Sequence, residues 1–225
     1  MTLKNDLISL NPKIRKKGFE KNNYVSFKHN NLYVNEIKII LEKILKNNKD
    51  SEENKILNII LDSYNKTITE KNFDEKDFIL TQNEIYEFQN LKEEDFKRYF
   101  IYRYKYKKYP QLFNLDEFPP CVQIEPTSIC NLRCIMCYQS DNSFSKKSKG
   151  FMGHMSLELF KKVIDELEGN VEAITLASRG EPTLNSKLID MINYCGNKFL
   201  ALKINTNATM LNEKLIHQLL SSGIQ

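Results

Sequence analysis

Three cysteines fall within eight residues, Cys130-Asn131-Leu132-Arg133-Cys134-Ile135-Met136-Cys137, in a C-x3-C-x2-C arrangement. Thiolate sulfur is the ligand that iron–sulfur clusters use. Three thiolates on one short loop can hold three irons of a cubane [4Fe–4S] cluster, which leaves the fourth iron open. An open iron is a Lewis-acid site able to coordinate a substrate or cosubstrate directly. Two other readings compete. A zinc site could take Cys130, Cys134, Cys137 and His154, the nearest histidine, and would be structural and closed; alternatively, the three cysteines belong to a core with no metal. Zinc modules usually pair C-x2-C with a second ligand pair at a set distance, and a solvent-facing loop is a poor place to bury three cysteines.

A second constellation lies further along the chain, at Gly180-Glu181-Pro182. Gly180 allows close approach of the backbone to a ligand and Pro182 fixes the turn, so the Glu181 carboxylate is expected at the mouth of a strand as an acceptor for a cation. Ser178 and Arg179 lie near the same mouth, where Arg179 has a carboxylate as its simplest partner. Cys121 and Cys195 are expected on a strand edge and a helix face, in structural roles.

The elements that must position these residues follow from apolar spacing. After residue 120 the pattern is strand, loop, helix, repeated: strand 122–125, helix 157–167 capped by Ser156, strand 173–177, helix 187–194, strand 200–206 and helix 213–220. Three β/α units in succession predict a parallel sheet. The cysteines then follow the first strand, at the carboxyl end where α/β barrels keep their sites. Alternation along the strands predicts that Val122, Ile124, Ile174, Leu176, Leu202 and Ile204 face the helices. Gln123, Glu125, Thr175, Ala177, Lys203 and Asn205 would form a polar opposite face, with Glu125 and Lys203 as an ion pair.

Upstream, Val34, Ile37, Leu41, Ile44 and Leu45 mark one amphipathic helix, and Ile56, Ile59, Ile60 and Tyr64 a second, capped by Asp50 or Ser51. A third helix begins near Lys92 and runs into Tyr99–Tyr109, with half-buried tyrosines and lysines reaching solvent. Pro110, Pro119 and Pro120 mark a boundary. The expected organisation is a helical N-terminal region, 1–115, and an α/β region, 116–225.

Composition excludes some functions. The 225 residues carry a formal charge of only +4, without the excess of a nucleic-acid binder. No apolar run is long enough for a membrane span, and the first residues lack a secretory pattern, so a cytoplasmic location is expected. Five cysteines in a reducing compartment argue for metal or redox chemistry rather than a disulfide framework.

At these residues the sequence resembles the radical S-adenosylmethionine (radical SAM) enzymes. Cys130, Cys134 and Cys137 match the family's C-x3-C-x2-C signature, Gly180-Glu181-Pro182 is similar to its GEP motif, and Asn205-Thr206-Asn207-Ala208 is similar to its TNG-type ending. The resemblance covers residues 120–225, and Ile124-Glu125-Pro126 with Cys130-Asn131-Leu132-Arg133-Cys134 resembles members that carry SPASM or twitch extensions. It implies an α/β fold of the first three units of a parallel (β/α) barrel, a [4Fe–4S] cluster on the three cysteines, and S-adenosylmethionine as cofactor. By the same resemblance, Glu181 meets the methionyl ammonium and Met136, where members often have an aromatic residue, packs on adenine. Asn207 bonds the ribose or merely caps the turn.

The implied reaction is cleavage of S-adenosylmethionine to a 5′-deoxyadenosyl radical that abstracts hydrogen from a substrate, with electrons from a flavodoxin- or ferredoxin-type protein. No residue identifies that substrate; peptide or sugar modification is fold-level analogy. The family's later strands have no counterparts here, so a longer natural protein is expected, with the 225-residue chain alone inactive. The alternatives are a non-catalytic interaction module with a truncated barrel, and a zinc-stabilised Cys3His binding domain.

Overall fold

Apolar residues at helical spacing in the first half of the chain do form helices. A computed structural model describes residues 31–70, 77–222 and 224. The chain divides into two compact units, residues 1–112 and 113–225.

In the first unit α1 (Asn31–Asn47) packs against α2 (Ser51–Glu70), with Leu41, Leu57, Ile60 and Tyr64 fully buried. Asp50 is the cap of α2: its Oδ1 accepts from the backbone N–H groups of Glu52 (2.9 Å) and Glu53 (3.0 Å). Ile59, expected on the buried face, is exposed. A helix the apolar spacing did not indicate, α3 (Gln82–Gln89), is announced by Thr81-x-x-Glu84, a capping box with both reciprocal bonds formed.

After a 3-10 turn, Glu93–Asp95, α4 (Phe96–Leu112) carries the tyrosine stretch as a helix, with Tyr99, Tyr102 and Tyr104 buried. Its cations do not all reach solvent. Lys108 is buried, and Arg103 and Lys107 both bond the buried Glu84 carboxylate.

In the second unit β1 (Cys121–Ile124), β2 (Ala173–Leu176) and β3 (Ala201–Ile204) form one parallel sheet in the order β1-β2-β3. This is the partial α/β barrel sheet expected from the sequence. Helices α5 (Asn142–Ser145), α6 (Leu157–Leu167), α7 (Leu188–Cys195) and α8 (Glu213–Ser221) complete the unit. Ser156 caps α6 through Leu159 N–H (3.2 Å) and Asn212 caps α8 through Leu215 N–H (2.9 Å).

One sheet face buries Ile174 and Leu176 against Phe160 and Ile164 of α6 and Met191 and Ile192 of α7. Burying each such side chain stabilises the unit by about 1.5–3 kcal/mol. Leu159, on the first turn of α6, is exposed. By register, Gln123, Thr175 and Lys203 lie side by side in a row across the other face.

Candidate cluster-binding loop

The residues after β1 first build a neck. Met155 N–H donates to Pro126 O (2.9 Å), Ser128 N–H to Gly153 O (3.0 Å), and Gly153 N–H to Ser128 Oγ (2.9 Å). Thr127 and His154 form an antiparallel bridge. From the segment after β2, Asn185 Nδ2 donates to Pro126 O (2.7 Å) and Met155 O (3.2 Å). These bonds close the base of an excursion, residues 130–152, that contains all three cysteines.

Within the excursion, Cys137 N–H donates to Cys134 O (2.9 Å), and a 3-10 turn, Tyr138–Ser140, follows. Cys134 is exposed, while Cys130 and Cys137 are half-buried. Ile135 and Met136 are 94% and 84% exposed, so the segment between the second and third cysteines carries apolar side chains in solvent. Two donors approach the first sulfur: Leu132 N–H at 3.4 Å and Asn207 Nδ2 at 3.8 Å from Cys130 Sγ. Asn207 Nδ2 also donates to Asn131 Oδ1 (3.0 Å), and Asn131 Nδ2 to Thr209 Oγ1 (2.8 Å). The loop after β3 thus holds the first cysteine's neighbourhood.

The other two cysteines lie elsewhere. Cys195 is fully buried in the core of the second unit, where burial pushes its thiol up to about 12. Cys121 opens β1, away from the excursion in sequence. Among the described residues, no three His, Cys, Asp or Glu side chains converge as ligands of a single ion would.

The Gly180-Glu181-Pro182 segment differs from the expectation in two respects. The close approach that requires Gly180 is to the chain itself: a Cβ there would stand 1.8 Å from Thr127 O and 2.9 Å from Ile129 O. Glu181 N–H donates to Ile129 O (2.9 Å), so the segment is pressed against the entrance to the cysteine loop. Glu181 itself is buried and accepts from this chain at both oxygens, three donors at Oε1 and one at Oε2. Its Oε1 accepts from Thr183 N–H (3.1 Å), Thr183 Oγ1 (2.5 Å) and Thr206 Oγ1 (2.6 Å), and its Oε2 from Asn207 N–H (2.6 Å). Burial pulls its pKa upward, but those donors outweigh it and hold the carboxyl below its usual range. Pro182, itself buried, opens the 3-10 turn Pro182–Leu184.

Glu125, at the end of β1, pairs with Arg179. Arg179 NH2 donates to Oε1 (2.7 Å), and its Nε and backbone N–H reach Oε2 (3.0 and 2.9 Å). Burial acts to raise the Glu125 pKa, and the Arg179 bonds reverse it to a net lowering. Arg179 thus has the carboxylate partner expected of it, held bidentately. The backbone accommodates it at Ser178, whose φ of 149° lies outside the usual range for a side-chain-bearing residue.

Gln139 had no signal in the sequence. It is 2% exposed, and its Nε2 donates to Ser128 O (2.6 Å) and Arg179 O (2.7 Å). Its partners are backbone carbonyls, one of them 40 residues away, which no residue pattern announces.

Residues 124–225 match the family model of the Radical SAM superfamily. The chain is 33% identical over 103 residues to the tungsten-containing aldehyde ferredoxin oxidoreductase cofactor-modifying protein of Pyrococcus furiosus, covering 45% of this chain and 27% of that protein. It is 30% identical over 105 residues to Fe-coproporphyrin III synthase of Methanosarcina barkeri, covering 47% and 25%. With mycofactocin maturase MftC of Mycobacterium ulcerans it shares 28% over 104 residues, covering 46% and 27%. The crystal structure of BtrN in complex with AdoMet and 2-DOIA superposes with a TM-score of 0.42 at 25% identity, over 49% of this chain and 45% of that one. The chain spans about a quarter of the length of these curated relatives. The second unit of the chain is therefore similar, over residues 124–225, to the Radical SAM superfamily.

Proposed function

We propose that the chain contributes the cluster-binding half of a radical SAM enzyme's site, with Cys130, Cys134 and Cys137 as the three protein ligands. The observation that carries this reading is the excursion itself: three cysteines, two of them half-buried and one exposed, on a loop whose neck is bonded shut. The donor set fits the group. A cubane presents a separate iron to each thiolate, so its ligands need not converge on one point, and N–H groups aimed at Cys130 Sγ are the bonding that tunes such sulfurs.

Together the reduced cluster and S-adenosylmethionine supply one-electron cleavage and hydrogen abstraction from a substrate. This chain's own residues do the positioning. The neck fixes where the loop starts and returns. Glu181 braces the β3 loop through Asn207 N–H, and Asn207 in turn holds Asn131 and approaches Cys130. The carboxylate has about four acceptor sites; three donors crowd Oε1 and one occupies Oε2, so Oε2 retains a site for an ammonium. Met136, on the exposed loop segment, offers an apolar, polarizable surface to adenine. A reductant of flavodoxin or ferredoxin type and an organic substrate complete the proposed partners, and the relatives' names point to cofactor, porphyrin or peptide modification as the substrate classes to try.

Anaerobic reconstitution with iron and sulfide tests the assignment. The wild-type chain should turn brown and hold about four irons and four sulfides. Each of Cys130→Ala, Cys134→Ala and Cys137→Ala should lose the chromophore, and Cys121→Ala and Cys195→Ala should keep it. Equal loss from Cys121→Ala would show that the ligands are wrongly assigned.

A further inference from the structure

We propose that Gln139 is a positioning residue that clasps the cysteine loop shut, before and after the loop is loaded. The inference rests on the reading that this loop carries the cluster, and it concerns a residue outside the family's motifs.

Ser128 lies two residues before Cys130 and Gln139 two residues after Cys137. The Nε2 bond of Gln139 to Ser128 O (2.6 Å) therefore closes a ring that contains all three cysteines and nothing of the rest of the fold. The second Nε2 proton goes to Arg179 O (2.7 Å), the residue before Gly180. One amide nitrogen thus ties together the entrance of the loop, its exit and the segment after β2.

The orientation of the amide is fixed by its partners. Both are carbonyl oxygens, so the NH2 group must face them, and Oε1 faces away, buried, with no bonding partner among the described groups. The residue acts by donation alone. A buried acceptor left unpaired is costly, and an apolar side chain would avoid that cost while leaving two carbonyls without donors. The retained amide marks a position where the two donations matter more.

The neighbouring bonds show why the neck alone does not suffice. Ser128 N–H and Oγ and Gly153 N–H fasten the entrance strand to the return strand at residue 153, well after the cysteines. Between Cys137 and that point lie 15 residues of short turns, Tyr138–Ser140, α5 and Lys147–Lys149. Without Gln139 the exit of the loop would be tied to the neck through this long, exposed path. With it, the ring closes two residues past Cys137.

The test uses the full chain and two substitutions. Gln139→Met keeps the length and removes both donors. Gln139→Glu sets a carboxylate against two carbonyl oxygens. In the protein without cluster, amide hydrogen exchange of residues 130–137 and tryptic cleavage after the exposed Arg133 report loop opening. Gln139→Met should raise both by about tenfold to thirtyfold, the size expected for two neutral hydrogen bonds lost. Gln139→Glu should raise them at least as much, and exchange in β1, β2 and β3 should not change.

After reconstitution, Gln139→Met should lose iron to a chelator faster by a similar factor. Its reduced cluster should show an altered electron-paramagnetic resonance spectrum, a signature that mere loss of fold stability does not give. Wild-type loop protection in Gln139→Met, or loosening spread evenly through the sheet, would overturn the proposal. Failure of the wild-type chain to take up a cluster would instead defeat the reading of the loop, while the exchange experiment would still decide whether Gln139 clasps it.

Discussion

Glu181 has two oxygens and four donors from this chain, and the four come from two different loops. Thr183 belongs to its own turn, while Thr206 and Asn207 belong to the end of β3, so the carboxylate is a strut between neighbouring strand ends. Hydrogen bonds to a charged group contribute about 1.5–3 kcal/mol each where well formed. Glu181→Gln removes the charge and turns an amide donor toward groups that are themselves donors. It should lower stability by about 2–3 kcal/mol and weaken S-adenosylmethionine binding in the loaded protein.

The pH dependence has a definite sign. The folded-state pKa of Glu181 lies below its ordinary value of 4.5. Its contribution is therefore fully present above that value and is lost as pH falls through the folded pKa. Glu125 has a shift of the same sign and remains in the variant. Urea unfolding from pH 7 downward should thus show a shallower acid limb for Glu181→Gln than for wild type. Parallel limbs would show that the carboxylate's bonds contribute nothing to the folded state.

At the scale of elements, the packing of one turn against another decides what can be changed. Gly180→Ala would drive a Cβ into the carbonyl of Thr127, at the entrance to the cysteine loop, and backbone on both sides leaves little room to give. Overpacking of this kind typically costs 1–3 kcal/mol or more, so a loss of at least about 2 kcal/mol is expected. Gly153→Ala, on the other side of the same neck, meets nothing within 4 Å and should stay within about 0.5 kcal/mol of wild type. Denaturant midpoints of the two variants provide the comparison, and equal midpoints would contradict it.

The same elements show what residue patterns reveal. The sheet and its helices follow from period-2 and period-3.6 apolar spacing, because burial of one face selects for it. The cysteines are visible because a rare residue recurs at short intervals. Helix α3 is short and weakly apolar, and only Thr81 and Glu84 announce it. Glu125 with Arg179, and Gln139 with Ser128 and Arg179, join positions far apart in sequence, and Gln139 bonds to backbone that every residue possesses. Such contacts acquire identity only from the fold.

Among the described residues, the two units are packed in different ways. The sheet unit rests on aliphatic burial, whereas residues 82–112 pack aromatic rings around an ionic centre. Glu84 is 4% exposed and meets Arg103 and Lys107 from α4 while closing the capping box of α3 with Thr81 N–H (2.6 Å). Burial works to raise its pKa, and the Lys107 bond, the Thr81 N–H and the two cations lower it overall.

Removing one partner of a buried ionic cluster leaves uncompensated charge and costs about 3–5 kcal/mol. Glu84→Ala removes the cap and the anion together. Glu84→Gln keeps the reciprocal cap, for which glutamine serves as well, and removes only the charge. The loss should therefore be graded, largest for Ala, intermediate for Gln. Hydrogen exchange should rise first at residues 82–112, where two cations would lose their carboxylate. Equal losses for the two variants would assign the whole effect to the charge, and a wild-type exchange rate in Glu84→Ala would mean that α3 and α4 are held together by their aromatic rings alone.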